Sequence, residues 1–296
     1  MKSVQEYFHI TVSHLLLFTT VLQICNAVLE TCDQSGILLY EDMGCKPSYD
    51  RAASNSRNSC PSKYDCLGLK KSSDHCFLRG KAYMLKQRVD SKLTAGLCDL
   101  GCSCQREEDK TKFKCATVNC PEWSVLEPPT GCYRKYSLDD CCYIREMCPP
   151  YENSTTCVYD GKVYKEGENF LPKNSCWRCV CQAGFRGKLE KPFCRRRSCG
   201  VQVKHQEKLQ ERCAPLYYKR IYRESDPLCC PVNWICSEGN EKISGQAQST
   251  DKMCLFGQRL IRVGQKFEKT VQMPRNMTVT CECKIPPLLT CTTYVV

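Results

Sequence analysis

The chain has 296 residues, 29 of which are cysteines, and its formal net charge is +11. Cysteine at this density is typical of disulfide scaffolds and excludes a protein held mainly by a large apolar core. The positive charge favours anionic partners, and for an extracellular protein those are sulfated glycans or acidic proteins rather than nucleic acid.

The first 27 residues have the features of a secretory signal peptide. Lys2 opens a short polar region, an apolar stretch runs from Leu15 to Ile24, and small residues precede a cleavage position after Ala27. The apolar stretch is shorter than the roughly 20 residues that a membrane-spanning helix needs. Cleavage removes Cys25 and leaves 28 of the 29 cysteines, an even number that can pair completely. We therefore expect a secreted, extracellular protein without a membrane span.

Two tripeptides match the sequence that accepts N-linked glycans. They are Asn153-Ser-Thr and Asn276-Met-Thr. Such tripeptides also arise by chance, so they agree with secretion without proving it. Asn153 and Asn276 are the candidate glycosylation sites.

The cysteine spacing repeats along the chain. One block of ten cysteines contains C-x-x-C-x-C and ends in CC-x5-C; its members are Cys157, Cys176, Cys179, Cys181, Cys194, Cys199, Cys213, Cys229, Cys230 and Cys236. An earlier block has the same order and the same ending; its members are Cys76, Cys98, Cys102, Cys104, Cys115, Cys120, Cys132, Cys141, Cys142 and Cys148. The second and third cysteines of the earlier block are separated by three residues instead of two. The chain therefore contains two related modules.

This cysteine order resembles that of the von Willebrand factor type C domain. The later block adds the sequence Cys-Val-Tyr-Asp-Gly-Lys-Val-Tyr from Cys157, followed by Gly167 and Phe170. The resemblance covers residues 76–148 and 157–236 in full. The earlier module lacks a clear counterpart of Gly167 and Phe170, so it is a divergent member.

The two ends of the chain resemble broken pieces of the same module. Residues 254–296 follow the first half of the pattern without its second cysteine, and their cysteines are Cys254, Cys281, Cys283 and Cys291. Residues 28–70 follow the second half, and their cysteines are Cys32, Cys45, Cys60 and Cys66. Ser59 stands where the first cysteine of the doublet belongs. The expected organisation is a signal peptide over 1–27, a C-terminal half-module, two whole modules and an N-terminal half-module.

The resemblance implies that the ten cysteines pair first with fourth, second with eighth, third with fifth, sixth with ninth and seventh with tenth. Only the second-to-eighth bond then crosses between the halves of a module, and those two cysteines are the ones missing at the ends of the chain. Sequence alone leaves other pairings open, but the double loss favours this scheme. For the later module it predicts Cys157–Cys181, Cys176–Cys229, Cys179–Cys194, Cys199–Cys230 and Cys213–Cys236.

The fold class expected from these patterns is small, disulfide-rich and mostly β. Strand-forming residues on both sides of Asp160-Gly161 predict a hairpin that begins at Cys157. The second halves of the modules show no periodicity and contain Pro149-Pro150, which predicts mostly loops. The linkers after Cys148 and Cys236 predict modules that move independently.

Stability should come mainly from the disulfide bonds. A half-module is too small to bury enough apolar area to offset its chain entropy. Each unstrained bond contributes about 2–4 kcal/mol. Reduction should therefore unfold the protein.

Arg195, Arg196 and Arg197 fill the interval between two cysteines and have two interpretations. A charge run is most often a solvated loop, but clustered guanidinium groups also bind sulfate through charge-assisted hydrogen bonds. We therefore name these arginines as a candidate glycan site. Trp177 also has two interpretations, an exposed binding anchor or a ring packed over a disulfide.

The sequence does not indicate an enzyme, a metal site or a cofactor. Cys-x-x-Cys can hold zinc, but secretion and complete pairing favour disulfides. Only His75 and His205 remain after signal removal, and neither lies in a recognisable catalytic or metal-binding motif. Complete pairing also leaves no free thiolate to act as a nucleophile.

The function expected from the resemblance is extracellular binding of proteins. Type C domains occur in regulators of bone morphogenetic protein signalling and in matrix proteins, so the leading hypothesis is binding of a TGF-β/BMP-type growth factor. The first alternative is a structural matrix or host-defence component that binds glycoproteins or heparan-sulfate-like glycans. The second alternative is a secreted protease inhibitor, although no loop identifies itself as a reactive site.

Overall fold

The computed structural model describes residues 34–50, 60–124, 127–151, 154–173, 175–220, 228–273 and 275–295. The expected signal peptide, Cys32 and Asn153 lie outside these ranges. We use four names below. The N-terminal half (28–70) and the C-terminal half (254–296) are named by their place in the chain, although they follow the second and the first half of the module pattern, respectively. The complete modules are module 1 (76–148) and module 2 (157–236). Across the described residues, no helix is both long enough and apolar enough to cross a bilayer.

The N-terminal half contains one helix and one strand pair. Helix α1 (Gln34–Asp42) is followed by antiparallel strands β1 (Lys46–Ser48) and β2 (Lys63–Asp65) and by a 3-10 turn at Leu67–Leu69. Gly44, with φ +70°, ends the helix, and its N–H donates to the Glu41 carbonyl while the Cys45 N–H donates to the Tyr40 carbonyl. This is the Schellman arrangement, in which a left-handed glycine satisfies the last carbonyls of a helix.

Module 1 is built from strand pairs. Strands β3 (His75–Leu78) and β4 (Lys81–Met84) form a hairpin, a short helix α2 (Ser91–Thr94) continues into a 3-10 turn at Ala95–Leu97, and β5 (Asp99–Glu107) pairs with β6 (Lys110–Thr117). A 3-10 turn at Pro121–Trp123 precedes the antiparallel pair β7 (Tyr133–Lys135) and β8 (Arg145–Met147). The buried side chains of this module cluster around Cys76, Cys102 and Cys104.

Module 2 begins with the predicted hairpin. Strands β9 (Thr156–Tyr159) and β10 (Lys162–Lys165) pair across Asp160 and Gly161, which have φ values of +50° and +72°. A three-stranded sheet follows: β11 (Asn169–Phe170), β12 (Trp177–Val180) and β13 (Cys194–Arg196). The second half holds helices α3 (Val201–Lys204) and α4 (Gln206–Gln210) and strands β14 (Ala214–Arg220) and β15 (Asn233–Ile235).

The C-terminal half completes a larger sheet. It contains the hairpin β16 (Met253–Phe256) and β17 (Arg259–Arg262), then β18 (Lys266–Met273), β19 (Arg275–Glu282) and β20 (Thr290–Val295). Strand β20 pairs in parallel with β14 of module 2, which gives a five-stranded sheet in the order β15-β14-β20-β19-β18. Module 2 and the C-terminal half therefore share one sheet.

The fold class is small, disulfide-rich and mostly β, as expected. Thirteen disulfide bonds join described residues. In both modules they follow the pairing implied by the resemblance, including the cross-half bonds Cys98–Cys141 and Cys176–Cys229. The ends contain Cys45–Cys66, Cys254–Cys283 and Cys281–Cys291, and Cys60 is also disulfide-bonded.

The expectation of loop-rich second halves is wrong in part. In every second half an antiparallel pair lies just after the seventh cysteine and just before the tenth: β1–β2, β7–β8 and β14–β15. The disulfide between those cysteines holds the two segments side by side. Most of these strands have only three residues, which is too short to show a period of two in the sequence.

The five-stranded sheet is covered on both faces. On one face Leu216, Cys281 and Phe267 pack with Phe256 of the hairpin β16–β17. On the other face the Tyr217 hydroxyl donates to the Ser35 carbonyl of helix α1 at 3.2 Å. The sheet therefore has the N-terminal half on one side and the hairpin of the C-terminal half on the other.

The two terminal halves contact each other. The sequence alone leaves open whether they pair with each other or with another molecule. The buried Tyr40 hydroxyl donates to the Ile285 carbonyl at 2.8 Å and accepts from the Leu288 N–H at 2.8 Å. The Tyr64 N–H donates to the Pro286 carbonyl at 2.9 Å. The broken pieces at the ends of the chain are thus joined without a covalent bond between them among the described residues.

The modules also pack against one another, in contrast to the independent modules expected from the linkers. The Tyr136 N–H of module 1 donates to the Gly167 carbonyl of module 2 at 2.8 Å. Lys135 of module 1 pairs with Glu166 of module 2 at 2.6 Å. Val203 of module 2 lies in the core cluster of module 1. The short linkers allow side-chain contacts that composition does not reveal.

Candidate anion-binding cleft

A basic cleft lies between modules 1 and 2. Its main part has a volume of about 530 Å³, and a smaller part of about 220 Å³ adjoins helix α1. The basic side chains that line the two parts are Arg79, Lys92, Lys191, Arg195, Arg196 and Arg197. The acidic ones are Glu41, Asp42 and Asp139. We call this combined surface the basic cleft.

Strand β13 supplies two of the arginines. Cys194 is disulfide-bonded to Cys179 on β12, and the two residues are also opposite each other in the strand register. This bond fixes the start of β13, the short strand from which Arg195 and Arg196 both line the cleft. The Arg197 N–H donates to the Cys176 carbonyl at 2.8 Å and extends the constraint by one residue.

Arg195 crosses the joint between the modules. Its guanidinium lies directly over Gly96 of module 1, where an added methyl group would stand 2.0 Å from the Arg195 Nη2 atom. Its Nη1 atom is 4.0 Å from Asp139 Oδ1. Burial is the main cause that lowers the pKa of the Arg195 guanidinium, and the positive charge of Arg178 on the neighbouring strand lowers it further. The carboxylate of Asp139 acts in the opposite direction and raises this pKa. Arginine starts from so high a pKa that the group stays charged.

Arg196 is the more accessible of the two, with a half-exposed side chain. Its Nη1 atom lies 3.5 Å from Glu41 Oε2 of the N-terminal half. Its guanidinium carbon lies 5.5 Å from the centre of the Trp177 ring, a distance typical of a cation–π contact. Trp177 is partly buried and packs against the cluster around Phe170. The ring therefore supports Arg196 instead of standing free as an anchor.

Arg79 is the residue that sequence reasoning missed. It lies at the turn between β3 and β4 with φ +50°, and its N–H donates to Gln202 Oε1 of module 2 at 2.7 Å. Gly44 of the N-terminal half packs against the same turn, where an added methyl group would stand 2.4 Å from the Arg79 carbonyl carbon. Arg79-Gly80 corresponds in position to the Asp160-Gly161 turn of module 2, which was the available sequence signal.

The structure therefore places the predicted arginines in one cleft with three basic residues that do not belong to the Arg195–Arg197 run. Arg79 and Lys92 come from module 1, and Lys191 precedes the triplet in module 2. Planar guanidinium groups and ammonium groups that face one space are suited to several sulfate or carboxylate groups of one ligand. The solvated-loop interpretation does not describe Arg195, since its side chain is mostly buried.

The described glycosylation candidate lies outside the lining of the cleft. Asn276 is exposed on β19, opposite Gln272 of β18. Three groups of cysteine and glutamate side chains come within metal-binding distance among the described residues, but their cysteines are all disulfide-bonded. Metal binding by cysteine requires a free thiolate.

A second surface is apolar. Val158 and Val163 lie opposite each other on the first hairpin of module 2 and are 62% and 61% exposed. Phe77, which occupies the position of Val158 in module 1, is buried near the 3-10 turn Leu67–Leu69. The same hairpin position is thus covered in module 1 and open in module 2.

No family model matches the chain, and no solved structure matches it.

Proposed function

We propose that the protein is a secreted extracellular binding protein that holds sulfated glycans in the basic cleft. The observation that carries this proposal is the convergence of six basic side chains from two modules on one cleft. Clustered guanidinium groups bind sulfate through charge-assisted hydrogen bonds. The many disulfide bonds support secretion, because such bonds persist in oxidising compartments.

The size and charge of the cleft agree with an oligosaccharide segment. Its volume lies within the range of about 300–1,000 Å³ typical of small-ligand sites. The six cations outnumber the three carboxylates, Glu41, Asp42 and Asp139, so the surface attracts anions. The proposed role is binding without a catalytic step, in matrix or defence.

Affinity for immobilised heparin tests the proposal. The variant with Arg195, Arg196 and Arg197 replaced by alanine should elute at clearly lower salt than the unchanged chain, because it loses half of the basic side chains of the cleft. A control with Lys114, Lys173 and Lys266 replaced by alanine removes the same charge from exposed positions outside the cleft. Equal elution of the two variants would refute a specific glycan site.

Binding of a TGF-β/BMP-type growth factor is the second candidate. It is supported by the disulfide order shared with the type C domain and by the exposed pair Val158 and Val163. Exposed apolar side chains on a rigid hairpin are suited to a protein partner.

A panel of bone-morphogenetic-protein-type ligands tests the second candidate. The full chain should bind at least one ligand, and replacement of Val158 and Val163 by serine should weaken that binding. Leu260→Ser is the control, because Leu260 is 63% exposed at the equivalent position of hairpin β16–β17. Absence of binding across the panel would remove this candidate and leave the glycan proposal intact.

A further inference from the structure

Two acidic side chains already face the arginines of the basic cleft. Glu41 Oε2 lies 3.5 Å from Arg196 Nη1, and Asp139 Oδ1 lies 4.0 Å from Arg195 Nη1. The third acidic residue, Asp42, is engaged elsewhere, because its Oδ2 atom accepts the Cys199 N–H at 2.9 Å. Glu41 belongs to the N-terminal half and Asp139 to module 1, so the two carboxylates approach the β13 arginines from different units.

The remaining cations of the cleft are open to a ligand. Among the described residues, Arg79, Lys92, Lys191 and Arg197 form no ion pair with a carboxylate. An anion that reaches only Arg196 competes with Glu41 for the same guanidinium, so its net gain in attraction is small. An anion with several charges also engages the four open cations, which no internal carboxylate occupies.

We infer that Glu41 and Asp139 are built-in counter-ions that restrict the basic cleft to charge-dense sulfated glycans. This inference rests on the proposed glycan function and adds a specificity to it. A glycan with one carboxylate per disaccharide gains little from the exchange at Arg196. A heparin-like oligosaccharide gains contacts at four further cations with several sulfates, so it overcomes the internal competition.

The matched pair Glu41→Gln and Glu107→Gln tests the inference. Each substitution removes one negative charge and one partner of an exposed ion pair, and the Glu107–Lys112 pair lies outside the lining of the cleft. Glu41 and Glu107 have similar side-chain exposure, 46% and 52%. Only Glu41→Gln removes an internal competitor, so the difference between the two variants isolates the counter-ion effect from the net charge.

Titration with a heparin hexasaccharide and with a hyaluronan hexasaccharide provides the readout. Glu41→Gln should tighten heparin-hexasaccharide binding by about twofold to fivefold relative to Glu107→Gln, the range expected for one exposed ion pair. It should also reduce the preference of the cleft for heparin over hyaluronan. Asp139→Asn should act in the same direction with a smaller effect, because its carboxylate is farther from the arginine.

The outcomes separate this inference from the proposed function. If the arginine triple variant binds heparin as well as the unchanged chain, both fail. If the arginine variant weakens binding but Glu41→Gln and Glu107→Gln have equal affinities, the glycan site stands and the counter-ion inference is overturned.

Discussion

The complete modules and the terminal halves show two ways to hold the same two half-structures together. In each complete module one disulfide crosses between the halves: Cys98–Cys141 in module 1 and Cys176–Cys229 in module 2. The terminal halves lack the cysteines for that bond, yet Tyr40 of one half is buried and hydrogen-bonded to the backbone at Ile285 and Leu288 of the other. Apolar burial and satisfied hydrogen bonds replace the covalent link.

The N-terminal half, which forms one side of the non-covalent joint, contacts more than one other unit. The N-terminal half contacts the C-terminal half through Tyr40, module 2 through Asp42 and module 1 through Gly44. It therefore meets all three other units, as module 2 also does. Asp42 and Arg79, the neighbour of Gly44, line the basic cleft, so its shape depends on packing between units and not only on the disulfides within them.

The largest expected effect comes from removal of the Tyr40 side chain. Tyr40→Ala should lower the free energy of unfolding by about 3–5 kcal/mol, because it deletes a buried aromatic ring from the joint between the terminal halves. Tyr49→Ala is the control, since Tyr49 is 49% exposed in the same half, and it should change stability by less than about 0.5 kcal/mol. Urea unfolding with the disulfides intact measures both. Similar losses would mean that the joint contributes nothing.

Removal of the cross-half disulfide of module 2 should have the next largest effect. Replacement of Cys176 and Cys229 by serine should cost about 2–4 kcal/mol, because the bond closes a long loop in the unfolded chain. The module should nevertheless fold, since β14 remains in the five-stranded sheet of the C-terminal half. The same urea measurement gives the cost, and complete loss of folded protein would contradict the view that packing supports the module.

A smaller effect should follow from a methyl group at the joint between the N-terminal half and module 1. Gly44→Ala should cost about 1–3 kcal/mol more than Gly239→Ala, because only the first added methyl meets a backbone neighbour. Both glycines have positive φ, +70° and +82°, so both variants bear the same kind of backbone strain. Equal thermal stabilities would show that the Gly44–Arg79 approach is loose.

Sequence predicts the parts of this protein that depend on neighbouring residues or on an ordered set of cysteines. The hairpin at Asp160-Gly161 follows from turn chemistry, and the disulfide pairing of both modules follows from the resemblance. The joint at Tyr40 is different, because its partner Leu288 is distant in sequence and nothing local marks the contact. Packing between units decides such contacts.

The candidate site also contains one part that sequence predicts and one part that it does not. The run from Arg195 to Arg197 is visible as a charge pattern, so sequence identifies one wall of the cleft. Arg79 is a single basic residue in a turn, and it reaches the cleft only because Gln202 and Gly44 hold that turn against module 2 and the N-terminal half. Its position in the hairpin predicts a turn at Arg79-Gly80 but does not predict that the turn lies against other units.

The heparin affinity of Arg79→Gly, compared with that of Lys86→Gly, tests most directly whether the cleft is built across modules. Both residues are exposed, basic and at positive φ, +50° and +67°, so glycine suits either backbone and each variant loses one charge. If Arg79 forms part of the site, Arg79→Gly should raise the Kd for a heparin hexasaccharide by about tenfold. The Kd of Lys86→Gly should stay close to that of the unchanged chain. Equal affinities of the two variants would contradict a cleft shared between modules 1 and 2.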